Sequence, residues 1–287
     1  MRARLQRYPL AVFLVVTFAV TWGAWLGLAA AGARVGIGLS PIYLLGLLGP
    51  MLGALVATTV LEGRPGLRDL VVRMTRLRIH VRWWAIAVGL PLFIAGATHV
   101  VLVAYAMFLL APLPLPSWAA FGQFTGFPIT NPIVLWLLLV LVNGYGEETG
   151  WRGFLLPTLQ RRYSPLVSSV VVAGIWAAWH IPAFVINVNY RAMPVAMVPM
   201  FFLGLLCGSL LLTWLYDAGR QSIALVAVWH GTFNLVSGTV AARGALSAVE
   251  STLVMTIAVV LVARELVAAQ HERHGEPAHH DFTPAMH

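Results

Sequence analysis

The segment Gly146–Gly153 reads Gly-Glu-Glu-Thr-Gly-Trp-Arg-Gly and lies between two apolar runs, at 133–142 and 154–156. Two adjacent carboxylates and a guanidinium are therefore predicted inside a membrane-spanning stretch. Each such group costs about 2.5–3.5 kcal/mol at the centre of a membrane helix on insertion scales. Because that cost is high, we interpret the segment as part of a functional site and look for polar partners elsewhere.

The composition is typical of an integral membrane protein. The 287 residues are 60% hydrophobic and 10% charged, whereas soluble domains average about 25% charged residues. The net charge of +8 does not indicate a nucleic-acid partner. The basic residues fall between apolar runs, where they report orientation in the membrane. We therefore exclude nucleic acid and expect membrane lipid as a partner.

Apolar runs of about 20 residues, the length of a membrane-spanning helix, recur along the chain, and none alternates like a barrel strand. They predict an all-α membrane protein, a bundle of about eight transmembrane helices. We expect one transmembrane domain over 1–264 and a His-rich, disordered cytoplasmic tail over 265–287. The predicted spans are 10–32, 41–61, 83–110, 132–156, 165–187, 193–215, 222–241 and 248–264.

The arginines predict how the chain lies in the membrane. Only Arg34, Arg191 and Arg243 fall on one predicted side, Arg152 lies within a span, and the other arginines fall on the opposite side. By the positive-inside rule the arginine-rich side is cytoplasmic. We therefore expect a multi-pass protein of the cell (inner) membrane with both termini in the cytoplasm. The segment 62–82 has the pattern of an amphipathic helix held at the interface by anionic lipid.

A few strongly polar side chains are predicted deep within the spans, where they should avoid lipid and face one another. Glu148 and Arg152 have i, i+4 spacing, and so do His230 and Asn234, so each pair shares a helix face. The same spacing places Trp176 one turn from His180. We interpret His99, in the third span, as a structural hydrogen bonder. The candidate site residues are Glu147, Glu148, Arg152, His180, His230 and Asn234.

These side chains suit hydrolysis of an acyl bond, with a peptide as the natural membrane-compatible case. Glu148 can pair with Arg152, which leaves Glu147 as a base for water with an imidazole nearby. His230 and Asn234 are suitable donors to an oxyanion. Serine and cysteine are absent beside these groups, which argues against a covalent mechanism. No cofactor is required, although Glu147, His180 and His230 could hold zinc, and spacing does not decide between the two.

The three motifs together resemble those of the CPBP intramembrane proteases, the CAAX prenyl protease and bacteriocin-processing group, also called the Abi family. The motifs are Glu-Glu-x-x-x-Arg at 147–152, an aromatic-x-x-x-His at 176–180 and His-x-x-x-Asn at 230–234. The sequence on either side of the motifs resembles that of the bacterial branch of the family. The resemblance covers roughly residues 40–240. One departure is Trp176, where the family usually has phenylalanine. We expect this larger side chain to narrow the range of substrates that the site accepts.

The resemblance implies an eight-helix bundle with a water-filled intramembrane cavity and endopeptidase activity on a peptide or protein that is lipidated or membrane-embedded. It assigns Glu147 as the general base assisted by His180, Glu148 and Arg152 as support, and His230 with Asn234 as the oxyanion site. Two alternatives stay open. One is a non-catalytic membrane protein such as a bacteriocin-immunity or scaffolding factor, and the other is a carrier with a carboxylate proton relay.

Overall fold

The computed structural model describes residues 8–109, 118–127, 129–242 and 245–273. Regular structure in these residues is helical, apart from two isolated β-bridges. The helices are α1 (Pro9–Ala30), α2 (Pro41–Leu47), α3 (Gly49–Leu61), α4 (Gly63–Met74), α5 (Val81–Phe108), α6 (Trp118–Phe121), α7 (132–160), α8 (Pro165–His180), α9 (Ala183–Ile186), α10 (Val188–Arg191), α11 (Val198–Ala218), α12 (Ile223–Gly238) and α13 (Ala245–Arg273).

The apolar helices confirm the prediction of an all-α membrane protein. Within the described residues, five helical stretches are long and apolar enough to cross a membrane, and the bent pair α2–α3 would make a sixth. These stretches are Pro9–Ala30, Val81–Phe108, Pro165–Ile186, Val195–Ala218 and Ser247–Arg264. Helices α7 and α12, which carry most of the candidate site residues, are outside this set. The count of eight spans therefore stays a prediction.

The last helix passes the predicted domain boundary at residue 264 and ends at Arg273. The first part of the predicted tail is thus helical rather than disordered. Residues 274–287 of that tail lie outside the described residues.

The predicted span 41–61 is not one straight helix, because α2 and α3 meet at Leu48 with a bend of 50°. Pro50 explains the break, since its ring has no N–H to donate to the carbonyl of Gly46 four residues earlier. The hydroxyl of Thr21 on α1 donates to that carbonyl at 2.7 Å. The bend therefore leaves no unpaired acceptor at this point and ties α1 to α2.

Helix α7 runs without interruption from 132 to 160 but contains two π-helical turns, Leu139–Gly144 and Trp151–Leu155. The acidic segment lies between them in an α-helical stretch, Tyr145–Gly150. Such widened turns are common at functional sites because they change the direction in which side chains project. They distinguish α7 from the regular helix that the sequence predicts.

The amphipathic segment forms α4 as predicted, and its C-terminal end is tied to α7. Arg73 donates to the carbonyl of Gly153 at 2.7 Å and to the hydroxyl of Tyr216 at 2.9 Å. Pro157 cannot donate to the Gly153 carbonyl in the α-helical manner, so the guanidinium from α4 supplies a donor there. The hydroxyl of Tyr145 in turn donates to the carbonyl of Met74 at 2.9 Å.

The turn between α11 and α12 is held by the segment that follows α4. Arg220 and Gln221 have φ values of 58° and 59°, a left-handed conformation that costs free energy for residues other than glycine. Arg76 donates to the carbonyl of Arg220. Ser222 caps α12 and donates through its hydroxyl to the carbonyl of Arg76 at 2.7 Å. The segment that follows α4 thus holds the end of α11 and the start of α12 in place.

Pairs of glycines four residues apart differ in their surroundings, although each pair predicts close helix packing. At Gly53 an added Cβ would lie 2.9 Å from the backbone oxygen of Phe13 on α1, so α1 and α3 pack closely there. At Gly23, Gly27, Gly204 and Gly208 an added Cβ would meet nothing within 4 Å, and for those pairs the packing prediction is wrong.

We expect Gly53→Ala to destabilise the protein and Gly208→Ala to be tolerated. Overpacking a close contact costs about 1–3 kcal/mol, whereas alanine in open space slightly favours a helix. Thermal unfolding in detergent would compare the two variants with the parent protein. Equal melting temperatures for both variants would contradict the close contact between α1 and α3.

Candidate active site

The ionisable residues of α7 form a buried ion pair and a second carboxylate. Glu148 and Arg152 are both 0% exposed, and Glu147 is 3% exposed. Nη1 of Arg152 lies 2.9 Å from Oε2 of Glu148 and donates to Oε1 at 3.1 Å. Arg152 also donates to the carbonyl of Ser209 on α11 at 3.4 Å. The i, i+4 spacing therefore produces the pair that it predicts.

His230 on α12 contacts both carboxylates. Its Nδ1 lies 2.8 Å from Oε1 of Glu148, and its Nε2 lies 3.9 Å from Oε1 of Glu147. An ionised carboxylate can only accept, so Nδ1 carries the hydrogen of the shorter contact. Nε2 can therefore donate only when the ring is doubly protonated, in which case both glutamates supply the counter-charge.

Helix α8 brings Trp176 and His180 to the same place. The indole Nε1 of Trp176 donates to Oε2 of Glu147 at 2.8 Å. Nδ1 of His180 lies 2.8 Å from the carbonyl oxygen of Trp176, and since a carbonyl only accepts, Nδ1 is protonated. The neutral ring then presents Nε2 as an acceptor. Within the described residues His180 makes no direct hydrogen bond to Glu147.

Close backbone contacts let α7 reach these partners. An added Cβ at Gly144 would lie 2.9 Å from the carbonyl carbon of Ala227, and one at Gly231 would lie 2.7 Å from the backbone nitrogen of Val140. Helices α7 and α12 therefore cross with little between their backbones. This proximity brings His230 within hydrogen-bonding distance of Glu148.

The remaining two polar candidates are placed differently. Asn234 lies one turn after His230 on α12, is half-buried, and makes no side-chain hydrogen bond to another described residue. Its amide is therefore available to a ligand. His99 is half-buried on α5, outside the hydrogen-bonded set formed by α7, α8 and α12, and its interpretation as a structural hydrogen bonder stays a prediction.

Aromatic side chains form a wall on one side of His180. Its ring centroid lies 5.4 Å from that of Phe201 and 6.1 Å from that of Tyr190. Phe184 packs against both of these rings, at 5.6 Å from Phe201 and 5.1 Å from Tyr190. The wall offers apolar contact area to a ligand held at Nε2 of His180.

The predicted zinc ligands Glu147, His180 and His230 each make one hydrogen bond to a protein partner. Within the described part of the chain, no group of three or more His, Cys, Asp or Glu side chains is arranged to hold a metal ion. Oε2 of Glu147 is engaged by Trp176, and the Nδ1 atoms of His180 and His230 are engaged by a carbonyl and a carboxylate. These contacts leave Oε1 of Glu147 and Nε2 of each histidine without a protein partner at hydrogen-bond distance among the described residues, as in histidines that bind a metal through Nε2, so the zinc hypothesis stays a prediction.

Sequence reasoning missed several polar groups. Trp176 was expected to act by its size, but its indole N–H binds Glu147. Asn143, four residues before Glu147, is 5% exposed, and its Oδ1 has no hydrogen-bond partner among the described residues. Glu250 on α13 is 1% exposed, and neither carboxylate oxygen has a partner in the described set. Asn143 and Glu250 could have been identified from the sequence, because each is a polar residue in an apolar run.

Comparison with known proteins indicates the class of protein to which this chain is similar. The family model for the type II CAAX prenyl endopeptidase Rce1-like proteins matches residues 129–236, which include every candidate site residue. The chain is also 26% identical over 270 residues to CAAX prenyl protease 2 of Methanococcus maripaludis, covering 89% of this chain and 94% of that protein. The resemblance to the CAAX-type intramembrane proteases is thus confirmed. These similarities support an endopeptidase of the membrane.

We expect Arg152→Gln to destabilise the protein by about 3–5 kcal/mol, because it leaves Glu148 buried without its charge partner. The double variant Glu148→Gln/Arg152→Gln should recover part of that loss, since it removes both charges. Thermal or denaturant unfolding in detergent would measure the two effects. With Glu148→Gln measured as the second single variant, a double variant whose loss equals the sum of the two single losses would show that Glu148 and Arg152 are not coupled.

Proposed function

We propose that this protein is an intramembrane endopeptidase in which Glu147 activates water for attack on a peptide carbonyl. The observation that carries the proposal is the meeting of α7, α8 and α12 at Glu147, with Trp176 at 2.8 Å and His230 at 3.9 Å from its oxygens. A general base has to lie within hydrogen-bond reach of the proton that it removes, and a water molecule beside Oε1 satisfies this requirement.

In this mechanism the water oxygen attacks the carbonyl carbon while Oε1 of Glu147 takes a water proton. The carbonyl π electrons move to oxygen and give a tetrahedral oxyanion. When the intermediate collapses, the C–N bond breaks, and the leaving nitrogen takes the proton from Glu147. The products are a carboxylic acid and an amine, between which a proton then passes to give a carboxylate and an ammonium group, and Glu147 returns to its starting state. Nε2 of His180 accepts a hydrogen bond that helps to hold the water.

His230 and Asn234 serve as oxyanion donors. They lie one turn apart on α12, so both can point to one oxygen atom. The Asn234 amide donates in any protonation state, whereas His230 donates through Nε2 only as an imidazolium. Glu148 and Arg152 act indirectly, because Glu148 fixes the His230 ring through Nδ1 and Arg152 compensates Glu148.

The substrate is an apolar or lipidated peptide. Support comes from the aromatic wall of Phe184, Tyr190 and Phe201 beside His180 and from the CAAX prenyl substrates in the names of the related proteins. An apolar side chain or an isoprenoid would gain about 25 cal/mol for each Å² of apolar surface that it buries against this wall.

Glu147→Gln is expected to lower the cleavage rate of a farnesylated or apolar test peptide by about 10²–10⁴-fold, since an amide cannot take the proton. The matched control is Glu62→Gln, a surface carboxylate paired with Arg161 at 3.5 Å, which should retain the parental rate. Product formation would be followed by mass spectrometry with purified protein in liposomes. Undiminished cleavage by Glu147→Gln would exclude this mechanism, and absence of cleavage by the parent protein would favour a non-catalytic role.

Metal removal provides a separate test. Because the proposed mechanism activates water with Glu147 and needs no metal, we expect prolonged dialysis against a strong chelator to leave the cleavage rate unchanged. The metal content of the purified protein would be measured in parallel by mass spectrometry. A loss of activity that zinc alone restores would contradict the metal-free mechanism.

A further inference from the structure

The indole of Trp176 makes a direct hydrogen bond to the proposed catalytic base. Nε1 donates to Oε2 of Glu147 at 2.8 Å, and both side chains are buried, at 6% and 3% exposed. A hydrogen bond to an ionised acceptor is stronger than one between neutral groups, and burial strengthens it further. This contact is therefore a principal restraint on the carboxylate of Glu147.

The same indole contacts the other polar groups of the site. Its ring centroid lies 5.8 Å from that of His180 and 5.7 Å from that of His230. The guanidinium carbon of Arg152 lies 5.2 Å from the ring. The ring is thus packed on several sides, and its N–H direction is fixed by these contacts rather than by the hydrogen bond alone.

We propose that Trp176 is a positioning residue that selects which oxygen of Glu147 acts as the base. With Oε2 occupied by the indole N–H, Oε1 is left to accept the water proton, on the side that faces Nε2 of His230. This inference rests on the proposed role of Glu147 and extends it from the residue to one atom.

The physical reason is the freedom of a glutamate carboxylate. The terminal torsion of glutamate is broad and roughly two-fold, so an unrestrained carboxylate samples many orientations. A rigid donor at one oxygen removes that freedom before substrate arrives, and preorganised geometry of this kind lowers the barrier of a reaction. Phenylalanine at the same position would keep a packed ring but would supply no donor.

The first experiment compares Trp176→Phe with Trp22→Phe. The control indole, on α1, has a buried Nε1 with no hydrogen-bond partner among the described residues. We expect Trp176→Phe to lower kcat by about tenfold or more with little change in KM, because the carboxylate of Glu147 then loses its fixed orientation while substrate binding is unchanged. Trp22→Phe should keep the parental kcat. A parental kcat in folded Trp176→Phe would overturn the inference.

A second variant keeps the test valid if Trp176→Phe does not fold. Benzothienylalanine, introduced at position 176 by nonsense suppression, has the shape of tryptophan but a sulfur atom in place of the N–H. We expect kcat to fall by the same factor as in Trp176→Phe, because both variants lack the N–H donor. A parental kcat would show that the ring alone is sufficient and would overturn the inference.

A spectroscopic measurement separates this inference from the proposed function. The indole N–H resonance of Trp176, assigned by its absence in Trp176→Phe, should move upfield and exchange faster with solvent in Glu147→Ala, which lacks the acceptor. An unchanged resonance would exclude the hydrogen bond. If Glu147→Gln retains activity, the proposed function fails, whereas a parental kcat in Trp176→Phe beside an inactive Glu147→Gln overturns only the positioning role.

Discussion

The site depends on one constraint, which is that Glu147 and Glu148 are buried away from bulk water. A buried charge is tolerated only if protein groups replace its hydration. Glu148 obtains Arg152 from its own helix and the imidazole of His230, and Glu147 obtains the indole of Trp176. Because these partners come from α8 and α12, compensation of the two carboxylates also fixes how three helices pack. The same contacts that make the charges tolerable therefore build the geometry that we interpret as catalytic.

Proline contributes to this packing by freeing backbone carbonyls. Pro50 leaves the carbonyl of Gly46 without its helical donor, and Thr21 of α1 supplies one. Pro157 does the same for Gly153, where Arg73 of α4 donates. A free carbonyl in an apolar bundle demands a partner, so each proline creates a specific attachment point for a neighbouring helix. The amphipathic helix α4 is in this way a structural part of the site rather than only a membrane anchor.

Residue spacing within one helix could be used to predict part of the site, whereas the contacts between helices could not be predicted from spacing. The i, i+4 rule predicted the pairing of Glu148 with Arg152. The lengths of the apolar runs predicted the ends of most of the long helices to within a few residues. The hydrogen bond from Trp176 to Glu147 joins residues of α7 and α8, and no spacing rule reaches across helices. His230 was expected beside Asn234 as a donor, yet its Nδ1 is committed to Glu148. Gly53 and Gly208 have the same sequence pattern and opposite surroundings, because packing depends on which helix lies opposite.

The pairing within α7 also bears on how the protein enters the membrane during synthesis. Glu148 and Arg152 are neighbours on one helix and can enter the bilayer together as a nearly neutral unit. The other partners arrive later, since Trp176 follows Glu147 by 29 residues and His230 follows Glu148 by 82. Chains are made from the N-terminus, so the site stays incomplete until α12 has been inserted and packed. A nascent chain therefore holds both carboxylates before it contains the other groups of the proposed catalytic site.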